Sequence, residues 1–309
     1  MKIIYMGTPE FAVCPLESLH EEGFDISLVV SQKDKPKGRG KKLLPTPVKS
    51  KAEELNLEVF QPDNINSEDS IKKLKAINPD FIVVAAYGQI LKKEVLSIPK
   101  YGCVNIHASL LPKYRGAAPI NWAIINGEKE TGVTIMEMVE KLDAGDMYLK
   151  EYINIEEDDD AITIHDKLSN IGGKLIVEAL KGIYSGNITP ESQDDSKSSY
   201  ASMLNKKMGR IDWDESGERI KNLIRGLKPW PSAYTFYRGN NIKVHKVELS
   251  SKFKDGKNGE IVKVSDEGIF VNCIDSCVII KELQFPGKRS MAVKDFIRGN
   301  KIDIGTVLE

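Results

Sequence analysis

Cysteine is scarce: only Cys14, Cys103, Cys273 and Cys277 occur in 309 residues, with no framework spacing. That excludes a disulfide scaffold and leads us to expect a reducing cytoplasm. Cys273 and Cys277 miss the C-x-x-C spacing and are expected to be small core residues. Long apolar runs are missing too. A stretch such as Phe81 to Ala86 is far too short to span a bilayer. Met1-Lys2 leads straight into Ile3-Ile4-Tyr5, without the apolar region and cleavage site of a secretory signal. The four histidines, His20, His107, His165 and His245, are far apart in sequence, and no zinc spacing or phosphate-binding P-loop occurs. Gly7-Thr8-Pro9-Glu10 follows the first apolar run but is not the glycine-rich dinucleotide fingerprint. Gly38-Arg39-Gly40 lies among lysines in a loop. Nicotinamide and metal chemistry are therefore not expected.

What is present describes an ordinary globular chain, 41% apolar and 29% charged, and long enough for two domains with a core each. The net charge of −1 hides an asymmetry. From Leu204 onward there are 20 basic and 14 acidic residues, against 24 and 31 before it. A basic C-terminal third points mildly toward a polyanion, and equally toward a lysine-rich solvated surface.

The first 190 residues alternate short apolar runs with helical patterns, which predicts βαβ units and a mostly parallel sheet with helices on both faces. Strands are expected at Ile3 to Met6, Ile26 to Val30, Phe81 to Ala85, Cys103 to His107, Thr131 to Met138 and Met147 to Ile155. Thr8-Pro9 and Thr46-Pro47 both read as a cap and first helical residue. Helices are also expected over Ile65 to Ile77, capped by Ser67, and over Ile162 to Tyr184. Glu191 to Ser202 turns to Ser, Asp, Gln and Lys, the composition of a linker. The expected organisation is a catalytic domain over 1–189, a linker over 190–204 and a smaller domain over 205–309. In the last, short strands follow one another with turns at Gly239-Asn240, Asn258-Gly259 and Asp266-Glu267-Gly268, which suits a small β-barrel or sandwich. Met291 to Arg298 reads as a helix ended by Gly299.

Asn105-Ile106-His107 closes a predicted strand, so Asn105 and His107 share one face and Ile106 the other. In open α/β sheets the carboxyl ends of strands line the ligand crevice. An amide beside an imidazole there supplies an oxyanion donor and a group titrating near neutrality. Asp143, in the turn Leu142-Asp143-Ala144-Gly145-Asp146, is placed to orient His107. By spacing alone this suggests an acyl-type transfer and names no substrate. Between Lys33 and Lys42, six basic residues and one acid surround Pro36, Gly38 and Gly40. That loop follows the second strand and so leaves the same edge of the sheet. A solvated loop would have the same composition.

The run Asn105-Ile106-His107-Ala108-Ser109-Leu110-Leu111-Pro112, together with Asp143, resembles the folate-dependent formyltransferases. The wider string resembles in particular the branch of that family that acts on charged initiator tRNA. It runs from Tyr101-Gly102 through Arg115-Gly116-Ala117-Ala118-Pro119-Ile120 to Thr131-Gly132-Val133-Thr134-Ile135-Met136. Met6-Gly7-Thr8-Pro9-Glu10-Phe11, Arg210-Ile211-Asp212-Trp213 and Lys228-Pro229-Trp230-Pro231 agree. The resemblance implies a Rossmann-like catalytic domain and an oligonucleotide-binding (OB-like) barrel after it. It implies 10-formyltetrahydrofolate as formyl donor, no metal, and a monomer. Asn105 and His107 would stabilise the developing oxyanion, and Asp143 would fix the imidazole and a proton-carrying water. Ser109, Leu110, Leu111 and Pro112 would line the folate site, and Tyr87, Gly88, Gln89, Ile90 and Leu91 would wall the pterin pocket. Lys37, Arg39, Lys41 and Lys42 would grip the tRNA acceptor stem. Formyl transfer to an amino sugar or a purine-pathway ribonucleotide, formyltetrahydrofolate hydrolysis, and RNA binding without turnover remain alternatives.

Overall fold

Apolar runs without polar alternation become the central parallel strands, as strands covered on both faces must. The computed structural model describes residues 1–37, 42–251 and 256–309. Arg39 and Lys41 thus lie outside the described residues. The chain divides into two compact units. The first comprises Met1–Pro119, Thr131–Ile153 and His165–Ala201, and the second Ile120–Glu130, Asn154–Ile164 and Ser202–Glu309.

In the first unit the strands are β1 (Lys2–Gly7), β2 (Asp25–Val30), β3 (Lys35–Lys37), β4 (Lys42–Leu44), β5 (Val59–Phe60), β6 (Phe81–Ala85), β7 (Cys103–His107), β8 (Arg115–Gly116), β9 (Glu130–Glu137), β10 (Met147–Asn154) and β11 (Tyr200–Ala201). Seven of them form one sheet in the order β10-β9-β7-β6-β1-β2-β5. From β5 to β7 neighbours run parallel, and β9 is antiparallel to β7. The helices of this unit are α1 (Val13–Glu21), α2 (Pro47–Glu54), α3 (Glu68–Ile77) and α4 (Lys93–Leu96); α5 (Pro119–Ile125) belongs to the second unit from Ile120 onward, and α6 (Ala161–Ser185) to the first from His165 onward. Leu74 of α3 and Val95 of α4 join Ile4, Met6, Leu28, Val30, Ile82, Val84 and Cys103 in one core cluster. The other face of the sheet meets α6, where a Cβ on Gly172 would sit 2.9 Å from Ile106 Cγ2. Ile106 therefore points away from the face shared by Cys103, Asn105 and His107, as the two-residue period requires.

Thr46 caps α2, its Oγ1 accepting from the Lys49 amide with Pro47 next, and Ser67 caps α3 in the same way. Thr8 does not cap a helix. Its hydroxyl donates to the Tyr87 carbonyl and accepts from the Gln32 amide, and a 3₁₀ turn at Glu10–Ala12 precedes α1. The hydroxyl is spent on tying together the loops after β1, β2 and β6. The basic stretch after β2 is bounded by β3 and β4, which pair antiparallel with Lys37 opposite Lys42.

In the second unit, α7 (Gly217–Gly226) is capped by Ser216 and followed by β12 (Ala233–Tyr237), β13 (Asn240–Ser250), β14 (Ile261–Ser265), β15 (Gly268–Asn272), β16 (Cys277–Gln284), β17 (Met291–Ala292) and α8 (Val293–Phe296). The sheet runs β12-β13-β16-β15-β14, with β17 beside β16, and all pairs are antiparallel. This is the antiparallel second domain expected from the strand spacing. Closure into a barrel is not established by the pairing. The β12–β13 turn is Arg238-Gly239, both at positive φ (49° and 74°), one residue earlier than the Gly-Asn signal suggested. The helix expected over Met291 to Arg298 is shorter, because Met291 and Ala292 pair with Leu283 and Glu282 instead. Cys273 and Cys277 are buried, as small core residues. Among the described residues no helix is long and apolar enough to cross a membrane.

Candidate active site

Asn105 and His107 stand at the carboxyl end of β7, opposite Met136 and Thr134 of β9. Thr134 fixes the turn after β7: its hydroxyl donates to the Ser109 carbonyl (2.7 Å) and accepts from the Leu111 amide (3.1 Å). Ser109, fully buried, donates its own hydroxyl to the Lys113 carbonyl at 2.7 Å. Leu111 packs with Met136 and Met147. Of the four residues expected at the folate site, Ser109 and Leu111 thus build the turn, while Leu110 and Pro112 stay partly exposed.

The turn ends at Tyr114, whose φ of 60° is left-handed, a strained state for an aromatic residue. That conformation aims its carbonyl at the His107 ring, and Nε2 lies 2.9 Å from it. A carbonyl only accepts, so Nε2 carries a proton and Nδ1 is the nitrogen free to gain or lose one. Nδ1 lies 3.8 Å from Asp143 Oδ2, too far for a direct hydrogen bond. A direct bond from the Tyr114 carbonyl thus fixes the His107 ring, with the Asp143 carboxylate that the spacing suggested facing its other nitrogen. The Asp143 carboxylate is itself held by the Gly116 amide, 2.7 Å from Oδ2. Asp143 also adopts left-handed φ, 47°, which aspartate tolerates better than most residues.

With Nε2 carrying the ring proton, Nδ1 is an acceptor 3.8 Å from a carboxylate oxygen, and the two form the base of a triangle. A group with two N–H or O–H donors, about 2.9 Å from each, completes it. A primary amine or a water has that valence. On the same strand face, the half-buried Asn105 amide makes no hydrogen bond among the described residues. It is free to donate to an oxygen that gains negative charge.

Gly145 shows why the acidic turn needs a glycine. A Cβ there would lie 2.0 Å from the Glu137 carbonyl oxygen and 2.9 Å from its carbon. Gly145→Ala must push the Asp143 turn off β9, at a cost of about 1–3 kcal/mol for the overpacking. A lowered urea midpoint together with lost activity is the expected result. An unchanged midpoint would show that the turn is slack.

The five residues expected at the pterin wall divide. Tyr87 and Leu91 are buried in the core cluster, Gly88 (φ 91°) and Ile90 are exposed, and Gln89 accepts from the Ile65 amide through Oε1. Burial pushes the Tyr87 phenol up to about 12. Its hydroxyl has no hydrogen-bond partner among the described residues, an unusual state for a buried oxygen. Lys37 and Lys42 take the facing positions of β3 and β4. Among the described residues no group of three or more His, Cys, Asp or Glu is arranged to hold a metal ion.

Sequence reasoning passed over Arg115, Gln193, Asp195 and Ser199. Arg115 is fully buried; its Nε and Nη2 donate to Gln193 Oε1 at 3.0 and 2.7 Å. Nη2 also meets Asp195 Oδ1 at 2.7 Å, and the bonds from Lys141 and Arg115 hold the Asp195 carboxyl below the usual range. An arginine inside a small-residue loop was the available signal, since a buried guanidinium must find acceptors.

The model of the formyl transferase family matches residues 1–180, and that of the formyl transferase C-terminal domain matches residues 203–301. A methionyl-tRNA formyltransferase of Caldanaerobacter subterraneus subsp. tengcongensis is 51% identical over 310 residues, and one of Clostridium tetani is 52% identical, each covering 100% of both chains. Among solved structures, the N-formyltransferase of Helicobacter canadensis with folinic acid and dTDP-3-aminofucose superposes with TM-score 0.68 at 21% identity. The match covers 91% of this chain and 98% of that one. HypX of Aquifex aeolicus with tetrahydrofolic acid gives 0.64 at 18% identity, over 99% of this chain and 50% of that one. At such identities the structural likeness concerns the fold alone.

Proposed function

The chain belongs to the formyl transferase family, and on that premise we propose that it transfers a formyl group from 10-formyltetrahydrofolate to the amine of methionine esterified to initiator tRNA. The acceptor is supported by relatives that match end to end at 51% and 52% identity and are named for it. The observation that carries the chemistry is the pair of acceptors, His107 Nδ1 and Asp143 Oδ2, 3.8 Å apart beside the free Asn105 amide. That set suits an amine nucleophile and a formyl oxygen.

The folate supplies a formyl carbon made electrophilic by its bond to N10. Asn105 donates to the formyl oxygen as charge develops there. His107 Nδ1 and Asp143 Oδ2 accept from the amine, hold it uncharged and oriented, and take up the proton it releases as its nitrogen bonds the formyl carbon; that proton then passes to N10 as the C–N10 bond breaks and tetrahydrofolate leaves. Nε2, tied to Tyr114, keeps the ring from turning. None of these roles calls on a metal ion. Ser109 to Pro112 and Tyr87 to Leu91 remain the stretches proposed to contact the folate. Lys37, Arg39, Lys41 and Lys42, with an OB-like second domain, are those proposed to contact RNA in the cytoplasm, the enzyme acting as a monomer.

The test is the initial rate of formylation of methionine on charged initiator tRNA against charged elongator tRNA. Rapid formylation of the initiator and slow formylation of the elongator are expected; equal rates would contradict the choice of acceptor. In the same assay Arg39→Ala should lower efficiency on intact tRNA, because a planar guanidinium suits a phosphate or base edge. Neutralising Lys41 and Lys42 should flatten the salt dependence of tRNA binding by roughly one to two log–log units. Unchanged kinetics and slope would remove the loop from recognition.

A further inference from the structure

The segment that composition marks as a linker reaches back into the reaction centre at several points. Gln193 Nε2 donates to the carbonyls of Asp143 (2.9 Å) and Gly145 (2.7 Å), while its Oε1 takes both bonds from Arg115. All four hydrogen-bonding positions of that amide are used, two on the catalytic turn and two on a buried guanidinium. Six residues on, Ser199 Oγ accepts from the Tyr114 amide (2.9 Å) and the Ser199 carbonyl accepts from the Arg115 amide (2.8 Å). β11 then pairs parallel with β8, and the Ala117 amide donates to the Ala201 carbonyl at 2.9 Å. The approach is close: a Cβ on Gly116 would lie 2.8 Å from the Ala201 oxygen.

These contacts fall on the two non-glycine residues of the site with left-handed backbone, Tyr114 and Asp143. Each such residue costs of order 1–3 kcal/mol and persists only where its surroundings enforce it. Tyr114 orients His107 through its carbonyl, and Asp143 supplies the carboxylate facing Nδ1. We propose that residues Gln193 to Ala201 form a positioning strap for the reaction centre, in which Gln193 sets Asp143 and Ser199 sets His107 through Tyr114. This rests on the reading of Asn105, His107 and Asp143 as the reaction centre. Neither Gln193 nor Ser199 touches the reacting atoms; each acts through the residue it holds.

Gln193→Glu tests this in the full-length enzyme. Glutamate keeps the length and still accepts from Arg115, but it has no donor for the two carbonyls and repels them. A misplacement of about 1 Å at a reaction centre costs on the order of 100-fold. The expected result is a 10- to 100-fold lower kcat, roughly, with the KM for the folate donor unchanged. A second readout is independent of turnover. The Gly116 amide, bonded to Asp143 Oδ2, should be protected from hydrogen exchange in the parent protein and lose that protection in Gln193→Glu. If Gln193 merely supports Arg115, the variant keeps both kcat and the Gly116 protection, and the proposal falls. If the parent transfers no formyl group yet the variant loses the Gly116 protection, the strap stands and the functional reading fails. Should Gln193→Glu not fold, Ser199→Ala carries the test. A kcat roughly tenfold lower, at unchanged donor KM, is then expected, and parental kcat would overturn the strap.

Discussion

Replacing His107 with alanine is expected to lower formyl transfer by roughly 10²- to 10⁴-fold, the range for a positioned acid–base group. The ring is buried and fixed at Nε2 by the Tyr114 carbonyl, so Nδ1 is a proton acceptor in a defined place. Alanine leaves Asp143 alone facing the incoming amine. Asn105→Ala is expected to cost roughly 10²- to 10³-fold, as the loss of one oxyanion donor does. It removes a side chain that makes no internal hydrogen bond among the described residues, so stability should hardly change. The double variant should fall short of the product of the two losses, because the groups act on one transition state. Steady-state kinetics on charged initiator tRNA, with donor binding measured separately, checks all three. Near-parental turnover in both single variants would show that the chemistry lies elsewhere.

Arg115→Ala is expected to cost the first unit roughly 3–5 kcal/mol of stability. The side chain is fully buried and among the largest in the interior, so its removal leaves a cavity. It also strips both donors from Gln193 Oε1. The ion pair with Asp195 contributes less, since that carboxylate is 60% exposed and screened by water. Arg115→Lys restores a charge near Asp195 but cannot present two donors to one oxygen in the guanidinium geometry, so it should recover only part of the loss. Urea unfolding followed by a probe in the first unit measures this. A midpoint equal to the parent's for Arg115→Ala would mean that the buried network adds nothing to stability.

What was legible in the sequence had a period or a steric requirement behind it. β6 was delimited residue by residue because a parallel strand buried on both faces must be apolar throughout; β7 kept its expected bounds although Asn105 and His107 interrupt its apolar run. Thr46-Pro47 marked α2 because the cap oxygen and the missing proline N–H serve the same free helix end. Asn105 and His107 share a face by the same two-residue period. The illegible parts lack such a rule. Thr8-Pro9 carries the same letters as Thr46-Pro47, yet the Thr8 hydroxyl bonds Tyr87 and Gln32, partners no local pattern reveals. β8 and β11 are two residues each and pair across more than eighty positions, too short to leave a period. The polar composition of 191–202 is common to linkers and to segments whose polar groups satisfy another part of the chain. Gln193 and Ser199 belong to the second kind. Asp143 was found as a carboxylate, but its distance from His107 and its hold by Gly116 are set by two left-handed residues that spacing does not show.

The central claim, transfer of a formyl group to the methionine amine of a charged tRNA, is tested most directly with a donor carrying ¹³C in its formyl group. The enzyme is mixed with that 10-formyltetrahydrofolate and methionyl initiator tRNA, and the products are weighed by mass spectrometry. The account predicts ¹³C-formylmethionine on the tRNA in amount equal to the tetrahydrofolate released, with neither formed by the Asn105→Ala, His107→Ala double variant at comparable times. Label recovered as free formate, with the methionine unmodified, would contradict it and make the chain a formylfolate hydrolase.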